Sequence, residues 1–244
     1  MTLGVALMLG GAILRFGSVP LGWAAGSGDP GVGPSPAPTP AVASTGPGAS
    51  SPAETNAPPA DAGLWFADDF VTPAAWPAGD LGLIRAAVVE GRYVIDAEPT
   101  DLPVVITAAA GDGSPGEAGA TILVQAGVTF VAGDAAASAG VVVADAEGTR
   151  LIVLLAADGR VALYRDSIES LDGLASASVA PPAGPTTVGL RLAGGTATVL
   201  VDGVAVTSAV VGLEPLVVGL AVWSPMTAAT VAFGAYRVWV PAPA

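Results

Sequence analysis

Carboxylates and aromatic rings are the side chains with which this chain could do chemistry, because most other reactive groups are missing. The 244 residues contain no His and no Cys. Lys is absent too, so all eight basic residues are Arg, and Asn and Gln occur once each, at Asn56 and Gln125. These gaps remove the commonest general base, the thiol nucleophile, the Schiff-base amine and the soft zinc ligands. Against them stand 21 acidic residues, five Trp, five Phe and three Tyr.

Three kinds of site can be built from such groups. Glycoside cleavage needs two carboxylates facing one cleft, one of them kept protonated by its surroundings. Glu90, Glu98, Glu117, Glu147, Glu169 and Glu214 all fall in or beside predicted turns, where acids are ordinarily solvated. Asp166 and Glu169, either side of Ser167, form the closest local pair and read as loop solvation. The expectation is therefore a protein without enzymatic activity. A calcium ion would need several oxygen ligands. Asp69 is the candidate ligand; its neighbour Asp68 would point to the opposite face of a regular strand. Apart from calcium at Asp69, no cofactor is expected. A sugar platform needs exposed rings that stack on pyranose C–H groups. Trp76 in Pro73-Ala74-Ala75-Trp76-Pro77, Trp223 in Trp223-Ser224-Pro225, and Tyr164 are the ligand-binding candidates, whereas Trp65, Phe70, Phe233 and Trp239 read as core.

Short apolar runs rich in Val and Ile must position these groups. Ile84–Val89 and Arg92–Ala97 flank Glu90-Gly91, and Thr149–Ala156 and Arg160–Arg165 flank a turn containing Asp158-Gly159. Thr186–Ala193 and Thr196–Val201 flank Gly194-Gly195, and Asp202-Gly203 leads into Val204–Ser208. Asp-Gly and Gly-Gly supply the positive φ angles of tight hairpins. In Arg92-Tyr93-Val94-Ile95-Asp96 the apolar and charged residues alternate, which puts Tyr93 and Ile95 on one face. Further strands are predicted over 102–108, 120–131, 139–145, 216–223 and 229–240, with no sustained helical periodicity. Many short antiparallel strands read as a two-sheet sandwich or barrel.

Ahead of this region the composition changes twice. Residues 1–25 are apolar apart from Arg15, which fits either a signal-peptide core or a retained membrane-anchor helix. Arg15 before the segment's end and Asp29 after it favour an exported C-terminal part, extracellular or at the cell surface. Residues 26–63 are rich in Pro, Ala, Ser and Gly and nearly free of bulky apolar side chains, the composition of a disordered linker. Stretched as polyproline it could reach at most roughly 100 Å. Residues 64–241 form the expected domain.

The net charge is −13. Asp29, Glu54, Asp61 and Arg15 precede Leu64, which leaves −11 on the remainder. Nucleic acid is excluded as a partner by charge repulsion. Membrane contact is confined to the N-terminal segment, since anionic headgroups repel this surface.

Trp65-Phe66-Ala67-Asp68-Asp69-Phe70 with Trp76-Pro77, followed by Glu90-Gly91-Arg92-Tyr93-Val94-Ile95, resembles the opening of concanavalin A-like lectin/glucanase (LamG-like) domains of bacterial surface proteins. Asp158-Gly159-Arg160-Val161-Ala162-Leu163-Tyr164-Arg165, Thr198-Val199-Leu200-Val201-Asp202-Gly203-Val204 and Tyr236-Arg237-Val238-Trp239 extend the resemblance over nearly all of 64–240. It implies a jelly-roll sandwich of two antiparallel sheets whose first and last strands pair. The chain departs from the family where an Asp-Asn pair commonly follows Phe in the last strand; Gly234 and Ala235 stand there. The Glu-x-Asp-x-x-Glu strand of the glucanases does not occur. The expectation is an exported, non-catalytic binding module for a glycan or another surface protein, with a structural surface domain or a glucanase-type hydrolase as alternatives.

Overall fold

Chain reversals occur at residue pairs that tolerate a left-handed backbone. Glu90 and Gly91 have φ of 50° and 70°, Gly194 and Gly195 of 55° and 74°, and Asp202 and Gly203 of 45° and 71°. Positive φ at both central positions is the two-residue turn whose twist matches that of the flanking strands. At Asp158-Gly159 only Gly159 is left-handed, at 87°. That hairpin is correspondingly longer.

The computed structural model describes residues 58, 62–71, 75–108, 121–167 and 170–241. Among these residues there are fifteen strands and no helix. The first five are β1 (Ala62–Asp68), β2 (Gly79–Asp80), β3 (Ile84–Val89), β4 (Arg92–Ala97) and β5 (Val104–Thr107). Then come β6 (Ile122–Ala132), β7 (Ser138–Ala144), β8 (Arg150–Ala156), β9 (Arg160–Asp166) and β10 (Leu171–Ser178). The last are β11 (Thr186–Ala193), β12 (Thr196–Val201), β13 (Val204–Val210), β14 (Val217–Trp223) and β15 (Ala229–Pro241). One sheet runs β13-β12-β11-β6-β15-β4-β3-β2, with β1 also paired to β15. The other runs β10-β9-β8-β7-β14-β5. Every pairing is antiparallel.

Strand β15 joins the parts of the larger sheet. Ala229–Phe233 pairs with β4, Tyr236–Pro241 pairs with β1, and β6 lies along the other side. Phe233 faces Val128 and Tyr236 faces Ala126, so Gly234 and Ala235 together oppose Gly127 in a bulge. Residues three apart on a regular strand point to opposite faces. The bulge brings Phe233 and Tyr236 to the same side, and both are wholly buried.

The main core lies between the sheets and contains Tyr93, Ile95, Val141, Leu151, Val153, Leu163, Leu190, Leu220, Phe233 and Tyr236. Strands β7, β8 and β14 are buried on both faces along nearly their whole length. Antiparallel sheets commonly leave one face to water. Here the outer face of the six-stranded sheet carries a second apolar cluster of Val142, Ile152, Leu154 and Ala221.

The all-β, two-sheet sandwich expected from alternation and turn residues is what the structure shows, and the first and last strands pair as the resemblance implied. Strand β10 was not anticipated: Leu-Asp-Gly-Leu-Ala-Ser-Ala-Ser has no β-branched residue and takes its conformation from pairing with β9. The expected N-terminal helix of residues 1–25 and nearly all of the linker 26–63 lie outside the described residues. No helix among the described residues is long and apolar enough to cross a membrane.

A Cβ on Gly140 would lie 2.0 Å from the carbonyl oxygen of Val153, a backbone atom that cannot step aside. Gly140→Ala should therefore destabilise the domain by about 1–3 kcal/mol. Gly173→Ala, where nothing lies within 4 Å of the added atom, should cost far less. Equilibrium urea unfolding of the two variants checks this, and equal losses would contradict it.

Candidate functional site

Of the three aromatic candidates, Trp76 is buried, only 4% exposed. Its ring packs edge-on to Tyr236 at 5.1 Å and lies 5.6 Å from Tyr93 and 5.7 Å from Phe70. Its indole Nε1 donates to Asp68 Oδ2 at 3.1 Å. The expectation of a stacking platform at Trp76 is corrected: the loop folds inward, because the indole finds both an aromatic nest and an acceptor there. Tyr93 completes the nest by donating to the Pro77 carbonyl at 2.5 Å, and burial pushes its phenol up to about 12.

Asp69 does not point to an open cation site. Its carboxylate pairs with the Arg237 guanidinium, which also donates to the carbonyls of Asp68 and Tyr236 at 3.1 and 2.9 Å. Asp68 Oδ1 accepts the Phe70 N–H at 2.6 Å and holds Phe70 at φ 55°, an unusual angle for a bulky residue. The two acids thus end β1 and turn the chain. No group of three or more acidic, His or Cys side chains suited to a metal is found among the described residues. Glu117 and Glu169 lie outside the described residues.

Tyr164 and Trp223 come together. Their rings meet edge to face with centroids 6.1 Å apart, although 59 residues separate them in sequence. Both are half-buried over the outer face of the six-stranded sheet, packed with Val105 on the cluster Val142, Ile152, Leu154 and Ala221. Trp223 Nε1 donates to the Thr100 carbonyl at 3.0 Å, which fixes the indole's orientation. Gly140 and Gly219 lie across β7 and β14, and neither can carry a side chain. The face therefore has a low glycine floor and an aromatic pair raised above it.

A polar pair borders the aromatic one. Asp166 is two residues beyond Tyr164 on β9, hence on the same face. It sits directly opposite Arg150 on β8, and Arg150 Nε lies 3.2 Å from its Oδ2. Side-chain exposure is 29% for Arg150 and 20% for Asp166, less than for the surface pair Arg160–Asp158. Burial raises the Asp166 pKa, and the Arg150 charge pulls it the other way. Sequence reasoning placed Asp166 in a solvated loop; it is instead the end of a strand. Arg150 was not anticipated, yet the hairpin around Asp158-Gly159, once its register is known, puts Arg150 against Asp166 and Ile152 against Tyr164.

No family model matches the chain, and no curated protein matches it in sequence. Solved structures do resemble it in fold. A non-specific endo-β-1,3(4)-glucanase of family GH16 aligns at TM-score 0.53 and 14% identity, covering 78% of this chain and 95% of that one. The β-glucanase of Bacillus licheniformis aligns at TM-score 0.52 and 9% identity, covering 72% and 98%. The catalytic domain of an endo-1,3-β-glucanase (laminarinase) from Thermotoga petrophila aligns at 0.51 and 11%, covering 73% and 98%. The domain has a concanavalin A-like jelly-roll fold. These neighbours also correct the expectation that the protein lacks enzymatic activity. They are glucanases, so this architecture carries glycan hydrolysis elsewhere, and absence of activity does not follow from the fold.

The raised Asp166 pKa has a definite sign. The folded state holds this proton more tightly than the unfolded chain, so the group's contribution to stability is complete below the ordinary carboxylate range. It is lost as pH climbs through the folded-state value. Carboxyl-carbon NMR titration should place the Asp166 midpoint above that of an unfolded Asp. Arg150→Gln should raise the midpoint further, because the opposing positive charge is gone. A midpoint lowered by Arg150→Gln would refute this account.

Proposed function

We propose that the domain engages polysaccharide on the outer face of its six-stranded sheet. Tyr164 and Trp223 stack on sugar rings, and Arg150 with Asp166 hydrogen-bonds their hydroxyls. The observation that supports this reading is the meeting of Tyr164 and Trp223, remote in sequence, above a buried apolar floor. A half-buried ring keeps a dry face for pyranose C–H groups, and the bordering ion pair offers both donors and acceptors. Neighbours of the same fold are named as β-glucanases, which makes β-linked glucans the first polysaccharides to try. The negative net charge favours neutral over acidic polymers. Residues 1–63 hold the domain outside the cytoplasm in this reading, which rests on Arg15, Asp29 and the Pro-rich composition.

One observation favours cleavage as a second reading. A carboxyl group with a raised pKa is what protonates the leaving oxygen in glycoside hydrolysis, and Asp166 has one on the same face as Tyr164. Release of reducing ends from β-glucan, lost in Asp166→Asn, would support it.

Calorimetric titration with soluble β-glucans should show Tyr164→Ala lowering affinity at least about tenfold, equivalent to ~1.4 kcal/mol. Trp76→Phe should lower the melting temperature while leaving affinity unchanged, since Trp76 is core. If no polysaccharide binds, or Tyr164→Ala binds as the parent does, the reading fails.

A further inference from the structure

If glycan binds the outer face of the six-stranded sheet, the angle between its two rings fixes how much of a chain that face can hold. Tyr164 and Trp223 come from strands three places apart, and their ring planes stand at 87°. The bond from Trp223 Nε1 to the Thr100 carbonyl holds the indole in place. A sugar stacks on an aromatic ring through one flat face. Rings side by side in one plane would carry successive residues of an extended chain, whereas two rings at a right angle are the floor and the wall of a corner. No third ring extends the platform. Apart from Trp239, on β15 of the other sheet, the remaining aromatic residues among those described pack in or against the main core.

The strand register bounds this corner. Along the face come Trp223 level with Ser138, then the row Ala221, Gly140, Leu154 and Ala162, then Tyr164 level with Ile152, and last Asp166 level with Arg150. A sugar seated on Tyr164 therefore has the indole on one side and the ion pair on the other. Opposite Tyr164 on the edge strand β10 stands Gly173, exposed, with nothing within 4 Å of where a Cβ would be. That is the open way out, over the edge of the sheet. The residue at a non-reducing chain end has a free hydroxyl where an internal residue carries its glycosidic bond. A guanidinium donates and a carboxylate accepts, so Arg150 and Asp166 together suit that hydroxyl and its neighbour. Building on the glycan reading, we infer that the corner takes the single non-reducing terminal residue of a chain, with Tyr164 under its flat face, Trp223 against its edge and the rest of the chain leaving past Gly173. The ligand class is then chain ends and short oligosaccharides, and the indole wall excludes chain interiors.

Calorimetry on the full chain, dispersed in a mild detergent without a sugar headgroup, tests this with unbranched β-1,3-linked gluco-oligosaccharides. The trisaccharide and the hexasaccharide should have dissociation constants within about twofold of each other. A long unbranched polymer should bind one domain per chain, whatever its length. Borohydride reduction of the hexasaccharide's reducing end should leave its affinity unchanged, because that end points away from the corner. Affinity rising at least about tenfold from trisaccharide to hexasaccharide would overturn the inference while leaving the glycan reading intact. A stoichiometry that grows with polymer length, or loss of binding on reduction, would do the same. Absence of binding by all of these ligands would overturn the reading and the inference together.

Discussion

The fold depends on a two-residue bulge in its last strand. β15 must pair with β4 at one end and β1 at the other while keeping β6 alongside throughout. A regular strand could make those ladders, but Phe233 and Tyr236 would then point to opposite sides of the sheet. Gly234 and Ala235, opposed by Gly127 alone, absorb the extra residue, and a Cβ on Gly127 would stand 3.7 to 3.9 Å from them. An added Cβ there would make ordinary van der Waals contact, so it is the extra residue and not a lack of space that defines the bulge.

From the bulge the packing spreads through aromatic rings. Tyr236, turned inward, meets Trp76 and Phe66 edge-on at 5.1 and 5.9 Å, and Trp76 leads to Phe70 and Tyr93. Phe70 and Tyr93 stack with their planes 17° apart. Each polar atom on these rings has a partner: Asp68 for Trp76, Pro77 for Tyr93, and the Gly219 carbonyl, 3.4 Å away, for Tyr236. Wholly buried, the Tyr236 phenol is driven well above its ordinary pKa by desolvation. Four of these five rings come from the opening and closing strands and their flanking loops. The two chain ends of the sandwich are therefore fastened by aromatic packing as well as by the β1–β15 ladder.

Much of this architecture is legible in the sequence because it is local. Glu90-Gly91, Gly194-Gly195 and Asp202-Gly203 each name a hairpin, and the strands around them begin and end within a residue or two of where alternation puts them. What was not legible depends on which sheet a strand joins. Trp76 lies between prolines in a segment without periodicity, and only the three-dimensional nest shows that it is core. Tyr164 and Trp223 were singled out as rings, but nothing in one dimension pairs β9 with β14, which are separated in the sheet by β8 and β7. Arg150 and Asp166 are an intermediate case. Their opposition follows from one hairpin register, so it was recoverable in principle, and it was missed because Asp166 was assigned to the loop beyond the strand.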